Sequence, residues 1–389
     1  MTIRALDITT NGQLAGRLEQ SGRADYAFAY RTDQPHNAVS LTMPVRTASY
    51  QYAGLHPVFA QNLPEGYLRD VVSRAIAKIH GSGELAMLAS LGPYQIGRLG
   101  YQLPGEQKQT EAGAEHLETL LKSKNPELFA ELVEKYALRS GVSGIQPKLL
   151  VNVSDKAVIR SGRLIVKAWG EDYPDLALNE YFCMRLAQAA GLQVPKFAVS
   201  DNGRLLLMER FDIGESGDFF GFEDGCSLLG LQPEEKYDST YERLARAITD
   251  YVSPEHRRVG LRDLFVSLLV SCVVRNGDAH LKNYAVLYDS PGRNVRLSPV
   301  YDIVTTTVYL PSDVPALHLA GSKRWWKPSL LKRFARQHCQ MTTEEVEQAF
   351  QHVRQAAATT LIELDAAAAR FPETGPAMAA IWRRALTEL

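Results

Sequence analysis

Alternating short apolar runs and turn residues mark the first part of the chain. Residues 3–55 switch repeatedly between apolar and polar positions and carry a turn pair at Asn11-Gly12, which is typical of hairpins. Residues 57–91 change to helical spacing of the apolar positions. The pattern therefore predicts a small, β-rich α+β subdomain over residues 1–105.

A second pattern follows a polar stretch. A small-residue turn at 140–148 leads into one predicted strand, and a second strand ends at Lys167. Residues 176–190 have helical periodicity and stop at Gly191, a natural residue for a helix end. A strand, a turn and another strand come next. This order predicts a nucleotide-clamping small lobe over residues 106–233.

The last part of the chain is mostly helical in pattern. Thr342 and Glu345 have the spacing of a capping box, which predicts the start of a long helix. Only two short apolar stretches, at 284–289 and 295–304, interrupt the helical pattern as strands. We therefore expect a helical large lobe over residues 234–389, and an α+β, bilobal fold for the whole chain.

Composition narrows the function classes. Across 389 residues, 43 Lys and Arg balance 44 Asp and Glu, so the chain has no overall positive field to hold nucleic acid by itself. The four cysteines form no C-x-x-C pair, which argues against a zinc site or a disulfide framework. The start of the chain lacks the apolar core of a signal peptide, and no run approaches the roughly 20 apolar residues of a membrane span. We expect a cytoplasmic protein without membrane attachment.

A stretch of unusual polar density, residues 275–283, follows an apolar helix and precedes an apolar strand. Asp278 and Asn283 stand five residues apart. In a kinase catalytic loop, an aspartate and an asparagine at this spacing accept the substrate hydroxyl proton and hold magnesium, respectively. A second metal-binding aspartate is expected after a short hairpin, and Asp302 stands there. Taken alone, an aspartate such as Asp278 is more often a turn or helix-cap residue than a base, so the prediction rests on the whole set.

The predicted small lobe supplies candidates for ATP binding. Lys167, at a strand end, is expected to meet the α- or β-phosphate, and Glu180, thirteen residues later on the next helix, to hold that lysine as its ion-pair partner. Lys282 is expected to neutralise the γ-phosphate during transfer. Adenine is expected in the cleft of the connector, with backbone groups of Glu209 and Phe211 bonding its edge.

The small-residue turn before the first strand of this lobe is expected to touch the ATP phosphates. It contributes Ser143, Gly144, Gln146 and Lys148 to the predicted ATP site. The turn fits neither the G-x-G-x-x-G nor the Walker lysine pattern. The prediction of ATP binding therefore depends on all of these residues together.

Six segments in order along the chain, VSGIQPK, VKAW, NEYFC, MERFD, GDAHLKN and PVYDIV, resemble the HipA toxin kinases. NGQLAGRL and NLPEGY are similar to the additional N-terminal domain of that family. The resemblance implies a protein-kinase-like fold in which Asp278 is the catalytic base, Asn283 and Asp302 bind Mg²⁺, and Lys167 binds ATP. It also implies a structural or phosphate-facing role for His280 in the catalytic loop.

One position departs from the family pattern. Members of the family can phosphorylate a serine in the glycine-rich loop and inactivate themselves, whereas this chain has Gly141 at the matching position. Ser143 and Ser140 are the nearest hydroxyls, and Ser143 is our first candidate for autophosphorylation. A phosphate there would add about two negative charges beside those of ATP. As ordinary turn formers, both serines also fit a purely structural role.

The leading hypothesis is an ATP- and Mg²⁺-dependent serine/threonine protein kinase that acts as the toxin of a toxin–antitoxin pair. The resemblance implies a HipB-like helix-turn-helix antitoxin, which would supply the DNA-reading surface, so that DNA is contacted only through that partner. It also makes an aminoacyl-tRNA synthetase a candidate target.

Two alternatives stay open. One is a small-molecule kinase of the aminoglycoside or choline type, since those enzymes also pair a loop aspartate with an asparagine and a later aspartate. The other is a catalytically degenerate kinase that serves as a corepressor or interaction platform. Against the second alternative, Lys167, Glu180, Asp278, Asn283 and Asp302 are all present.

Overall fold

The computed structural model of the protein describes residues 3–77, 81, 83–92, 94–106, 115–123, 125, 127–137, 148–155, 158–168 and 172–389, with the backbone alone for 152–155 and 158–163. Four residues predicted in the glycine-rich turn, Ser140, Ser143, Gly144 and Gln146, lie outside the described residues.

The N-terminal unit is an antiparallel sheet covered by helices. Its strands are β1 (Ala5–Thr10), β2 (Gln13–Gln20), β3 (Asp25–Tyr30), β4 (Tyr50–Ala53) and β5 (Leu99–Gln102). Its helices are α1 (Pro57–Ala60), α2 (Gly66–Ile76) and α3 (Glu84–Leu91). The sheet order is β4-β3-β2-β1-β5, and the predicted hairpin at Asn11-Gly12 joins β1 to β2.

A second sheet in the order β6-β7-β8-β10-β9 forms the next unit. Its strands are β6 (Glu115–His116), β7 (Lys148–Asp155), β8 (Val158–Lys167), β9 (Phe197–Val199) and β10 (Leu206–Glu209). Its helices are α4 (Leu117–Lys122), α5 (Leu128–Tyr136) and α6 (Leu176–Ala189). The predicted end of the third helix is confirmed, because Gly191 adopts the positive φ of 83° that a helix-ending glycine tolerates.

The remainder is largely helical, as predicted. It consists of α7 (Gly225–Leu229), α8 (Tyr241–Tyr251), α9 (Pro254–Val274), α10 (Pro328–His338), α11 (Thr343–Ala367) and α12 (Gly375–Glu388). The predicted capping box is confirmed, because the Thr342 hydroxyl accepts from the Glu345 N–H while the Glu345 carboxylate accepts from the Thr342 N–H. Within the described residues, no helix is long and apolar enough to cross a membrane.

A third small sheet connects the second unit to the helical one. Its strands are β11 (Gly221–Asp224), β12 (Ala285–Tyr288) and β13 (Arg296–Leu297). The sequence pattern predicted β12 and β13 but missed β11, which pairs antiparallel with β12. The short segment before Asp224 has no alternating pattern to reveal it. Together the sheets and helices confirm the mixed α+β class.

The second sheet is buried on both faces, so its strands separate two hydrophobic cores. Leu149, Leu164 and Leu207 face a core shared with the N-terminal sheet. Leu150 and Ile165, each adjacent in sequence to a residue of the first face, join the core of the helical unit. Successive side chains of a strand point to opposite faces of the sheet, so neighbouring residues enter different cores. The N-terminal unit is therefore packed onto the second sheet through a continuous core.

Buried polar contacts fix the N-terminal unit against the connector after β10. Arg210 and Asp212 form an ion pair at 2.5 Å, with side chains at most 1% exposed. The Asp212 carboxylate also accepts from the N–H of Gly97 at 2.6 Å, and Arg210 donates to the carbonyl of Gln95. Both buried charges of the connector therefore have partners in the N-terminal unit, and these contacts hold the connector and the N-terminal unit in one relative position.

Candidate active site

A cavity of about 550 Å³ lies where the three units meet. The N-terminal unit contributes Gln61, Asn62, Glu65 and Ile96 to its wall. The second sheet and the connector contribute Lys148, Ile165, Lys167, Met208 and Phe211. The helical unit contributes, among others, Asp278, His280, Lys282, Asn283, Tyr301 and Asp302. A single cavity thus brings together the described members of the predicted site, except Glu180 beneath its wall and Glu209.

Lys167 lies at the centre of a buried charge cluster. Its Nζ is 2.5 Å from Glu180 Oε1 and 2.5 Å from Asp302 Oδ1. Lys148 Nζ is 3.1 Å from the other oxygen, Asp302 Oδ2. The structure therefore places the predicted lysine and glutamate in contact, and it adds the aspartate that the sequence assigned to a metal.

The charges of this cluster set the protonation of its members. Burial alone would lower the pKa of Lys167, but the negative charges of Asp302 and Glu180 outweigh it and raise that pKa. Burial would raise the pKa of Asp302, but Lys148 and Lys167 hold it well below its usual range. The cluster therefore combines two lysines with two carboxylates, Asp302 and Glu180, and both lysines are donors of the kind that phosphate oxygens bind.

Asp278 stands at the start of the predicted catalytic loop, after α9, whose C-cap residue Arg275 adopts the left-handed conformation (φ 55°). The Tyr237 hydroxyl donates to Asp278 Oδ1 at 2.6 Å, and the Asp278 N–H donates to the side-chain oxygen of Asn276 at 3.1 Å. Because Asp278 lines the cavity, partial loss of hydration raises the pKa of its carboxyl, and the Tyr237 hydrogen bond opposes the rise. One carboxylate oxygen is therefore held by Tyr237, and the side chain lines the cavity.

His280 occupies the same loop, with Nε2 3.9 Å from Asp278 Oδ1. Its ring packs edge-on against Tyr237, with centroids 5.2 Å apart. Burial, reinforced by the charge of Lys236, lowers the pKa of His280 to about 3. The imidazole is therefore neutral at physiological pH, which suits a role in positioning better than one in carrying charge.

Asn283 and Asp302 offer oxygen atoms to the cavity. The Asn283 side-chain oxygen accepts from the His280 N–H at 2.9 Å, which fixes the amide. Within the described ranges, no group of three or more His, Cys, Asp or Glu side chains could hold a metal ion. One carboxylate and one amide oxygen nevertheless suit Mg²⁺, which binds proteins through few hard ligands and completes its shell with water and substrate phosphates. The donor set therefore fits the predicted magnesium site.

Lys282 adopts a position that the sequence did not predict. Its ammonium group forms an ion pair with Glu65 of the N-terminal unit, and the same carboxylate lies 3.2 Å from Lys236 Nζ. The Tyr301 hydroxyl donates to the Lys282 carbonyl at 2.8 Å. Glu65, Lys236 and Tyr237 are site residues that sequence reasoning missed.

Part of the cavity wall is apolar. Ile96, Ile165, Met208, Phe211, Phe222 and Tyr301 line it. The rings of Phe211 and Tyr301 stack at a centroid distance of 5.4 Å. An apolar slot of this kind suits a purine ring. Phe211 thus lines the cavity, while the predicted bond from its backbone to adenine stays a prediction.

One backbone group of Glu209 already has a partner within the protein. Its N–H donates to the carbonyl of Lys196 at 2.8 Å, and its side chain is 52% exposed beside the Lys196 ammonium group. Pairing with the segment before β9 therefore uses the Glu209 N–H, while the predicted contact between adenine and a backbone group of Glu209 stays a prediction.

Gly225 is required where α7 approaches the catalytic loop. A Cβ atom at this position would lie 2.7 Å from the carbonyl oxygen of Leu281, a backbone atom that cannot move independently. We therefore expect Gly225→Ala to displace the loop, to lower the free energy of unfolding by about 1–3 kcal/mol, and to reduce the catalytic rate. Gly83→Ala, where nothing lies within 4 Å, is the control. Urea denaturation of both variants measures the difference, and equal stabilities would contradict the packing argument.

Two family models match the chain. The model of the HipA-like C-terminal domain matches residues 140–361, and the model of the HipA N-terminal domain matches residues 6–102. The chain is 30% identical over 360 residues to the protein Y4mE of Sinorhizobium fredii, which carries the name of a kinase. That match covers 83% of this chain and 82% of the relative.

Further similarity extends to a named toxin and to a solved structure. The chain is 25% identical over 335 residues to the serine/threonine-protein kinase toxin HipA of Shewanella oneidensis, covering 78% of this chain and 76% of that protein. It superposes with a TM-score of 0.71 and 19% identity on a chain from the solved Shewanella oneidensis complex of HipA, HipB and operator DNA, covering 97% of both chains. This likeness confirms the predicted bilobal fold.

Proposed function

The chain belongs to the HipA-like kinase family, and on that premise we propose that it transfers the γ-phosphate of ATP to a serine or threonine hydroxyl of a protein. The observation that carries the proposal is the cavity that joins the buried Lys167–Glu180 pair to Asp278, Asn283 and Asp302. An apolar slot for a purine, ammonium groups for phosphates and one fixed carboxylate are the elements that phosphoryl transfer needs.

The chemistry follows from the position of each group. The acceptor oxygen forms a bond to the γ-phosphorus, the bond from that phosphorus to the bridging oxygen breaks, and ADP leaves with the electron pair. Asp278 takes the proton of the acceptor hydroxyl, while Lys167 holds the α- or β-phosphate and Lys282 neutralises the γ-phosphate. Asn283 and Asp302 would hold Mg²⁺, which supplies charge neutralisation to the phosphate oxygens when bound. For this, Asp302 must release at least one of its two lysine partners.

We further propose that the chain acts as the toxin of a pair with a HipB-like helix-turn-helix antitoxin. The similarity to the HipA of a complex that also contains HipB and operator DNA supports this proposal. The formal net charge of −1 supports it too, because a near-neutral chain needs a basic partner to reach DNA. An aminoacyl-tRNA synthetase as target, and Ser143 or Ser140 as autophosphorylation site, stay predictions.

Incubation with Mg²⁺ and γ-labelled ATP tests the proposed activity. We expect label on serine or threonine of a protein acceptor, and phosphosite mapping of the chain itself then reports on Ser140 and Ser143. Label that moves only to an aminoglycoside or to choline would replace the protein kinase with a small-molecule kinase. Nucleotide binding without any turnover would favour an interaction platform.

A further inference from the structure

Glu65 belongs to the N-terminal unit but points into the cavity. It is the N-cap residue of α2, the position from which a side chain can accept hydrogen bonds from the first N–H groups of the helix. Its side chain makes no such bond. Instead the carboxylate, 17% exposed, turns to two lysines of the helical unit.

The two lysines are buried at the cavity wall. Lys282 and Lys236 each have side chains that are 8% exposed, and each forms an ion pair with a different oxygen of Glu65. The contacts join residues that are 217 and 171 positions apart in sequence. Two like charges at this depth repel each other strongly unless a counter-charge lies between them. Glu65 provides that counter-charge.

The backbone that carries Glu65 is itself fixed. Gln61, four residues before Glu65, accepts a hydrogen bond from the Asp224 N–H and donates one to the Phe222 carbonyl, each at 3.0 Å. These two bonds hold the N-terminal unit against β11. The following Gly66 adopts φ 52°, a conformation that favours glycine. Glu65 therefore projects from a rigid turn, whereas Lys282 carries its charge on a flexible four-carbon stem.

We propose that Glu65 is a positioning residue for phosphoryl transfer: it holds Lys282, together with Lys236, in the orientation that neutralises the γ-phosphate. This inference rests on the proposed kinase function. Electrostatic stabilisation of a transition state depends on charges that are fixed before the reaction, and a lysine gains such fixity only from its partners. The N-terminal unit then contributes a residue to the active site, in addition to packing against the second sheet.

Glu65→Gln separates positioning from substrate binding. The amide keeps the shape of the side chain but removes the charge that orients the two lysines, so we expect kcat to fall about tenfold. The same change removes a negative charge beside the ATP phosphates, so KM for ATP should stay constant or decrease. Glu65→Asp, which keeps the charge on a shorter stem, should recover part of the rate. Asp70→Asn, an exposed carboxylate on α2, is the matched control and should leave both constants unchanged.

A double-mutant cycle tests whether Glu65 acts through Lys282. Adding Glu65→Gln to Lys282→Met should lower kcat no further than Lys282→Met alone. A kcat for Glu65→Gln within twofold of the wild type, a parallel loss of kcat and ATP affinity, or additive effects in the cycle would each overturn the proposal.

Nucleotide affinities keep the test independent of the proposed function. By calorimetry on the Asp278→Asn background, Glu65→Gln should strengthen binding of ATP relative to ADP, because only ATP places a charged γ-phosphate near these lysines. An unchanged ratio of the two affinities overturns the positioning role. A wild-type protein that transfers no phosphate refutes the proposed kinase function by a separate measurement.

Discussion

Asp278→Asn should lower the rate of phosphoryl transfer by about a thousandfold, within the range that general-base catalysis contributes. Asparagine has nearly the same shape and can still accept the hydrogen bond that Tyr237 donates at 2.6 Å, so the loop should keep its conformation. It cannot take up the proton of the acceptor hydroxyl. Because Asp278 is not part of the cluster at Lys167, the affinity for ATP should change by no more than about threefold.

Single-turnover transfer from labelled ATP measures the rate, and calorimetry measures the affinity. Asp250→Asn is the matched control, since Asp250 lies on the exposed face of α8 and its ion pair with Arg246 spans 3.7 Å between exposed side chains. If Asp278→Asn kept more than a tenth of the wild-type rate, the assignment of Asp278 as the base would be wrong.

Lys167→Met should damage both stability and ATP binding. Lys167 is 2% exposed and is the partner of Glu180, which is fully buried. Removing one partner of a buried ion pair leaves the other charge without compensation, so we expect the free energy of unfolding to fall by about 3–5 kcal/mol. The phosphates lose a charged donor at the same time, so affinity for ATP should drop at least about tenfold.

A second substitution separates these two effects. Replacing both partners, as Lys167→Met with Glu180→Leu, removes the uncompensated carboxylate and should recover a large part of the stability. Lys148 still pairs with Asp302 at 3.1 Å in this variant. ATP binding should not recover. Recovery of ATP binding together with stability would show that Lys167 does not hold phosphate.

Local patterns in the sequence predicted the parts of the site that lie close together along the chain. Asp278 and Asn283 share one loop, and Lys167 and Glu180 are separated only by the connection from β8 to α6. The short spacing within each pair is therefore enough to place its two residues close together in the fold. The hairpin that joins β1 to β2 was predictable for the same reason, because the turn and the alternation are both local.

Contacts between distant segments could not be predicted in this way. Glu65 meets Lys282 across 217 residues, and Lys148 meets Asp302 across 154. No periodicity in the sequence marks such partners, since each depends on how whole units pack. Tyr237 reaches Asp278 from a loop with no pattern of its own. The motif NLPEGY was visible in the sequence, but only the packing shows that its glutamate enters the cavity.

The hydrogen-bond partner of the Glu209 N–H could not be predicted from the sequence either. A connector after a strand with a lysine suggests adenine contacts, but the pairing that occupies the Glu209 N–H involves Lys196, in the segment that leads to β9. Which backbone donors of a connector stay free depends on where the neighbouring strand begins, and strand ends are the least predictable feature of a sequence.

A crystal structure with Mg²⁺ and a non-hydrolysable ATP analogue tests the central claim most directly. The account predicts adenine in the slot lined by Met208 and Phe211, phosphates against Lys167, and the metal ion on Asn283 and Asp302, with at least one lysine displaced from that aspartate. A nucleotide bound outside this cavity, or a metal ion held by other residues while Asp302 keeps both lysines, would contradict it.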